Sequence, residues 1–324
     1  MAGIAIKAVV VTAFEPVGGP MPGEFRCWRE RERLDQELSF AYGLRPLYLS
    51  ADGVLGVVTG VGAARAAAAI MALGLDERFN LTQAYWIVSG VCGIDPQRGS
   101  LASVALAQYV VDGDLTHEVD AREIPAEWVD GFVALGKTTP YEEPRADRFD
   151  GDDGIVFHLN GSLVGWALGL VQDVVLMDTP AIALRRREFR PEESAWRAPH
   201  VLRGDELSST TFWHGKLMSE RARRWVQYQT EGRGTYAITA MEDTGILQSL
   251  TLLAKAGRVD FARVLVVRAA SNFDQQRDGI GPAKSLAETK VTTYSAYKPA
   301  LENGWRVGSR ILRGLLAVWP QSPV

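Results

Sequence analysis

Gly53-Val54-Leu55-Gly56-Val57-Val58-Thr59-Gly60-Val61-Gly62 is an apolar run of strand length that ends in a glycine pair, and an alanine-rich stretch follows it as far as Leu73. A short apolar run bounded by turn signals reads as a buried strand, and the glycines mark the turn into a helix. The same unit recurs along the chain. Residues 6–12 are valine-rich and stop at Phe14-Glu15-Pro16-Val17-Gly18-Gly19, residues 85–89 lead into Gly90-Val91-Cys92-Gly93, and residues 101–111 form a fourth apolar run. Strand, glycine turn and helix in alternation predict an α/β sandwich with a largely parallel sheet.

The 324 residues, 47% hydrophobic and 23% charged, suit a globular chain with a large core. A net charge of −4 argues against a general nucleic-acid or anionic-membrane binder. Two cysteines, Cys27 and Cys92, make no disulfide framework, and four scattered histidines make no zinc site, so neither metal nor cofactor is expected. The chain start reads as a strand with no signal peptide, and no segment reaches the roughly 20 apolar residues that span a bilayer. The expectation is a cytoplasmic protein with no membrane partner.

One domain is expected over residues 1–324, with surface insertions near 138–154 and 185–197; the second is a charged run read as a solvated linker. Helices are expected at 163–175, 217–228 and 297–316, and a strand at 201–207.

Three candidate constellations follow apolar runs, where polar groups at strand carboxyl ends face the crevice in which α/β folds bind ligands. Tyr236-Ala237-Ile238-Thr239 leads to Ala240-Met241-Glu242, and Val264-Leu265-Val266-Val267 leads to Arg268-Ala269-Ala270-Ser271-Asn272-Phe273-Asp274. Ser208-Ser209-Thr210-Thr211-Phe212-Trp213-His214-Gly215 offers aromatic faces of the kind that grip planar bases. A Met–Glu pair suits a sugar with an apolar face and a vicinal diol, and Asn272 and Asp274 suit a heterocycle. Blander readings stand beside these: a first-turn helix acid at Glu242, turn formers at Asn272 and Asp274, and a capped, anchored helix start at 208–215. Gly60-x-Gly62 either brings backbone amides to a ligand or packs helix on sheet. Gly90-Val91-Cys92-Gly93 is equally ambiguous, since a buried Cys is most often packing.

Together these segments resemble the purine nucleoside permease family, within the nucleoside phosphorylase and nucleosidase superfamily. The resemblance covers nearly the whole chain. It runs from Val9-Val10-Val11-Thr12-Ala13-Phe14-Glu15-Pro16 through Thr59-Gly60-Val61-Gly62 and Ser89-Gly90-Val91-Cys92-Gly93-Ile94-Asp95-Pro96. It continues in Tyr109-Val110-Val111-Asp112, His117 to Glu123, Phe212-Trp213-His214-Gly215, Met241-Glu242-Asp243 and 268–274. It implies a three-layer α/β sandwich with a central mixed β-sheet flanked by helices, assembled as homodimers or larger homo-oligomers. The family name says transport; with no membrane span in sight, it is read here as a phenotype of an enzyme that consumes nucleoside.

By the resemblance, Met241 and Glu242 hold the ribose, Phe212 and Trp213 line the base, and Gly60, Gly90, Val91 and Cys92 border the substrate. Asn272 falls where adenine-preferring relatives carry a protonating Asp, which hints at inosine or guanosine, and Asp274 is the alternative proton donor. Positions that bind phosphate in hexameric phosphorylases fall at Gly18, Val88 and Val91. A divalent anion has no charge-assisted partner there, so the expectation is a purine nucleoside N-ribohydrolase, with Glu15 orienting the water. The alternatives are a phosphorylase with ligands from elsewhere, such as Arg65 or a neighbouring subunit, and a nucleoside-binding protein accessory to uptake. His117 is placed near the site.

Overall fold

The computed structural model describes residues 3–18, 21–145, 154–288 and 296–324. Gly19 and residues 146–153 of the expected 138–154 insertion lie outside the described residues. The elements that position the site are β1 (Ala8–Thr12), β2 (Val54–Val58), α1 (Ala63–Gly74), β3 (Tyr85–Ile94), β4 (Val104–Ala107), β5 (Tyr109–Asp112), β6 (Asp205–Ser208), α2 (Lys216–Gln229), β7 (Tyr236–Ala240), α3 (Asp243–Lys255), β8 (Val264–Phe273) and α4 (Tyr297–Val318).

The centre is a mixed sheet with helices packed against it. β1 lies parallel between β2 and β3, and every residue of β1 and β2 is buried. Burial on both faces is why these strands read as unbroken apolar runs rather than alternating ones. β3 carries a second parallel neighbour, β8, and β8 pairs antiparallel with β4. On the other side β5 pairs with β6, β6 with β7, and β7 returns antiparallel to the end of β3. Only Gln108 separates β4 from β5, so these pairings close into a ring at one end of the sheet.

Residues 101–111, expected as one strand, are two strands for a local reason. The Asp205 carboxylate accepts from the Gln108 and Tyr109 amides at 3.1 and 2.8 Å, and from Thr235 N at 2.6 Å. Those amides are satisfied by a side chain instead of a ladder, and the strand bends there. Residues 201–207 are likewise divided, at Gly204.

Two other expectations change. Residues 90–93 and 268–273 are not turns after strands; β3 and β8 run straight through them in parallel register, with a bulge between Ala270 and Asn272. Residues 185–197 are largely exposed, as a charged run should be, but they take in the end of one short helical segment, Pro180–Arg186, and all of another, Glu193–Trp196, and are held to the body of the fold. Arg186 is buried in a two-bond ion pair with Asp178 at 2.7 and 2.9 Å, and the Phe189 ring lies 4.0 Å from that of Phe273. Charge density marks the segment as a surface one, and its few apolar and paired residues anchor it to the end of β8.

Helices α1 and α3 pack closely because Gly245 has no side chain: a β-carbon there would stand 2.0 Å from the Ala63 carbonyl oxygen. Gly245→Ala is expected to lower the unfolding free energy by about 1–3 kcal/mol, although alanine is intrinsically favoured in a helix by ~1 kcal/mol. Urea denaturation would show this as a lower midpoint, and an unchanged or raised midpoint would contradict the packing.

Candidate functional site

A cavity of about 200 Å³ opens where the ends of β3, β7 and β8 converge. β3 delivers Val91, Cys92 and Gly93; β7 leads into Met241 and Glu242; β8 delivers Ser271 and Asn272 and leads into Asp274. The loop after β6 adds Phe212 and Trp213, and the loop after β1 adds Phe14 and Glu24. Of the residues singled out from sequence, Met241, Glu242, Asn272, Asp274, Phe212, Trp213, Val91 and Cys92 are brought together. Gly60, Gly90 and Glu15 are not on its wall.

Glu242 stands at the start of α3, buried to 5% exposure. Its Oε1 accepts from Gly62 N at 3.3 Å and its Oε2 from Arg268 Nη2 at 3.1 Å. The Gly62 amide of the Gly60-x-Gly62 turn is therefore engaged by a carboxylate of the chain itself, and Val61 rather than Gly60 reaches the cavity. Positive φ at Gly60 and Gly62, 84° and 95°, sets this turn and explains the glycines.

Arg268 is 1% exposed. Its Nε donates to Asp243 Oδ2 at 3.0 Å, its Nη2 also pairs with Asp243 Oδ1, and its Nη1 donates to the Val91 carbonyl at 3.3 Å. Gly90 makes room for this: a β-carbon there would meet Arg268 Nη1 at 2.4 Å and Glu24 Oε1 at 2.7 Å. Its role is close approach, one step behind the wall. Burial pushes Glu242 up to about 7, with Glu24 and Asp243 adding to the rise and Arg268 opposing it. Glu206, wholly buried nearby, is pushed well up by burial and then by the Asp243 charge.

Glu24 was missed from sequence, where nothing distinguishes it from other loop acids. Its Oε2 accepts from Ala13 N and Phe14 N at 2.9 Å each, and its Oε1 from Val91 N at 2.8 Å. Glu15, expected near the water, instead accepts from Phe25 N at 2.9 Å and lines a separate recess with Arg26, Arg29 and Arg45. The loop folds back so that Glu24 N bonds the Phe14 carbonyl, which carries Glu24 inward and leaves Glu15 facing the arginines. His117 lies exposed on a two-stranded ribbon with Phe132–Val133, and Arg65 is exposed on α1; neither lines the cavity.

At the opposite end Asp274 is 1% exposed. Its Oδ2 accepts from Tyr236 Oη at 2.6 Å and Ser219 Oγ at 3.0 Å. Burial, then the Asp95 charge, hold its carboxyl well above the usual range, against those two hydrogen bonds. The Asn272 amide is turned onto its own strand: Nδ2 donates to the Phe273 carbonyl at 3.0 Å, and Oδ1 accepts from Ser271 Oγ at 3.0 Å. Trp213 is buried, Phe212 is half-exposed at the mouth, and burial pushes the Cys92 thiol well up, so that it faces the cavity as a neutral group.

Because Glu242 titrates at about 7 in the folded chain against an ordinary 4.5, the folded state holds its proton more tightly. The stability linked to that proton is complete below about 4.5 and is lost as pH rises through about 7. Urea unfolding of the wild type and Glu242→Gln at pH 5 and pH 8 is expected to show their free-energy difference shifting against the wild type at the higher pH. A difference independent of pH would contradict the assignment.

A model of the purine nucleoside permease family matches residues 5–322. A Schizosaccharomyces pombe protein named as a purine nucleoside permease is 30% identical over 268 residues, covering 81% of this chain and 76% of the relative. A Candida albicans purine nucleoside permease is 27% identical over 266 residues, covering 81% of this chain, which spans only 64% of that relative. Among solved structures, the 5'-methylthioadenosine/S-adenosylhomocysteine nucleosidase of Neisseria meningitidis superposes with a TM-score of 0.55 at 16% identity, covering 95% of this chain and all of that one. Futalosine hydrolase of Helicobacter pylori gives 0.56 at 11% identity, covering 95% of this chain and 98% of that one. The fold is thus the phosphorylase/nucleosidase fold, with its central mixed sheet and flanking helices. The cytoplasmic expectation is corrected by the same comparisons: the permease names of the family and its relatives point to a membrane location, while among the described residues no helix is long and apolar enough to cross a membrane. On the family match and the relatives together, the chain belongs to the purine nucleoside permease family.

Proposed function

We propose that this chain is a purine nucleoside N-ribohydrolase, which splits the N-glycosidic bond to free base and ribose with water as nucleophile. The observation that carries the reading is the charge of the cavity wall. Glu24, Glu242 and Asp274 line it, and among the described residues no Lys, Arg or His does. The nearby guanidinium, Arg268, sits behind the wall with its donors engaged by Asp243, Glu242 and Val91. An inorganic phosphate would meet carboxylates without a charge-assisted partner. A ribosyl ring gaining positive charge would meet stabilising ones.

The position of each acid supports a division of labour in this reading. Glu242, next to Met241, is placed to hydrogen-bond the ribose diol. Glu24, fixed by three backbone amides, is placed to orient the water. Asp274, kept neutral by burial, is placed to protonate the departing purine, a general-acid effect of roughly 10²–10⁴ in rate. Nucleosidase names among the structural neighbours support the reaction class, and the permease names of the relatives support a purine nucleoside as the ligand.

Hypoxanthine release from inosine in phosphate-free buffer is expected to proceed undiminished, with free ribose as the second product. Strict phosphate dependence with ribose 1-phosphate would make it a phosphorylase, and tight inosine binding without any free base would make it a binding protein. Glu242→Gln and Glu24→Gln are each expected to lower kcat by about 10²–10³ in steady-state assays, whereas Glu15→Gln stays within about threefold of wild type. Near-full turnover in Glu24→Gln, with a collapse in Glu15→Gln, would return the water to Glu15.

A further inference from the structure

Tyr297 lines the cavity and is 5% exposed. Its hydroxyl is already engaged within the chain, because Oη donates to the Pro22 carbonyl at 2.8 Å. Its ring stands edge-on to that of Phe14, another residue of the wall, with centres 6.5 Å apart. Phe14 and Pro22 belong to the two limbs of the loop after β1, and the limbs meet where Glu24 N bonds the Phe14 carbonyl at 2.8 Å. One side chain therefore reaches both limbs of the loop that carries Glu24.

Tyr297 is the first residue of α4, and α4 is the platform for the segment that follows the loop. A β-carbon at Gly308 would stand 2.6 Å from the Trp28 ring, Glu302 pairs with Arg31 at 2.8 Å, and Trp305 Nε1 donates to Glu32 at 3.0 Å. The loop itself is held more sparely. Among the described residues, three hydrogen bonds tie it to segments beyond 13–25: Arg45 Nη2 to the Glu15 carbonyl at 3.2 Å, Val91 N to Glu24 Oε1 at 2.8 Å, and Tyr297 Oη to the Pro22 carbonyl. The Tyr297 bond lies two residues from Glu24 and makes no use of its carboxylate. Burial, then the Glu24 and Glu15 charges, push the phenol up, so the hydroxyl stays a donor.

A group that orients a water must be held still, since a misplacement of about 1 Å can cost on the order of a hundredfold in rate. We propose that Tyr297 is a positioning residue for Glu24: by holding the Pro22 carbonyl it keeps the Glu24 carboxylate seated on the Ala13, Phe14 and Val91 amides. The kinetic part of this rests on Glu24 orienting the water in the proposed hydrolase; the seating does not. Without the hydroxyl the Pro22 limb is released, and the carboxylate exchanges its amide partners for solvent more often. The aromatic ring, left in place, still closes the wall.

Tyr297→Phe keeps the ring and loses only the hydroxyl, and it is tested in two arms. In the first, amide hydrogen exchange is expected to quicken at Ala13, Phe14 and Val91 by at least about threefold, while Val9, Val10 and Val11 in β1 are unchanged. In the second, kcat for inosine is expected to fall about three- to tenfold, the range for one net hydrogen bond. KM is expected to stay within about twofold, as for a group whose effect is confined to the transition state. In a Glu24→Gln background the same substitution is expected to cost less than about twofold, because its effect runs through a carboxylate already removed. Exchange unchanged at the three amides, or quickened equally in β1, would overturn the proposal, and so would a kcat loss of equal size in both backgrounds. A chain that releases no base from any nucleoside would remove the hydrolase reading, and the exchange arm would then decide the seating of Glu24 by itself.

Discussion

The structure depends on one buried cation. Arg268 stands near the middle of β8, almost wholly excluded from water, and ties together Asp243, Glu242 and the backbone of β3. Taking a guanidinium out of water is tolerable only where its donors are met by charge in good geometry. That requirement accounts for several features at once. It fixes the start of α3, because Asp243 and Glu242 must both face β8. It demands a glycine at position 90, because a side chain there would occupy the space of the guanidinium. It also holds one oxygen of Glu242 inward, so that the carboxylate meets the cavity in a defined orientation.

The same constraint sets the electrostatics of the cavity. One cation is shared among more acids than it can neutralise: Asp243 takes two of its contacts, Glu242 takes one, Glu24 and Asp243 raise Glu242, and Asp243 and Glu242 raise Glu206. The excess is relieved by protonation, which burial favours. At the other end burial, then the Asp95 charge, hold the Asp274 carboxyl well above the usual range, against the hydrogen bonds from Tyr236 and Ser219 and the more distant charge of Arg223. The cavity wall thus carries acids raised by burial and by one another, and in the proposed hydrolase Glu24 and Glu242 would face the sugar and Asp274 the base.

Much of the fold was legible in the sequence because doubly buried strands leave unbroken valine-rich runs, and 6–12, 53–59 and 85–89 carried that signal. Strand ends were not legible. Glycines at 90 and 93 look like turn residues, but in β3 they make room for Arg268 and Glu24 and for the neighbouring Thr239. The break at Gln108 depends on Asp205, nearly a hundred positions away, and no local pattern reports it. The anchors of the charged 185–197 segment were not legible, because composition does not reveal which arginine finds a partner. The residues placed in the site by Met241-Glu242 and 271–274 do converge, since short polar segments after apolar runs mark the crevice of such a sheet. Glu24 stayed hidden because its position depends on how a glycine-rich loop returns to β1, and Glu15, next to the strand, was the more visible acid.

The central claim is that this cavity is built for a sugar ring carrying positive charge and not for an inorganic anion. Its most direct test is a calorimetric comparison of two nucleoside analogues of equal shape, one with a cationic pyrrolidine ring in place of ribose and one with a neutral carbocyclic ring, each titrated with and without phosphate. The account predicts that the cationic analogue binds at least a hundredfold more tightly and that phosphate changes neither affinity. Equal binding of the two rings, or affinity that appears only when phosphate is present, would contradict it.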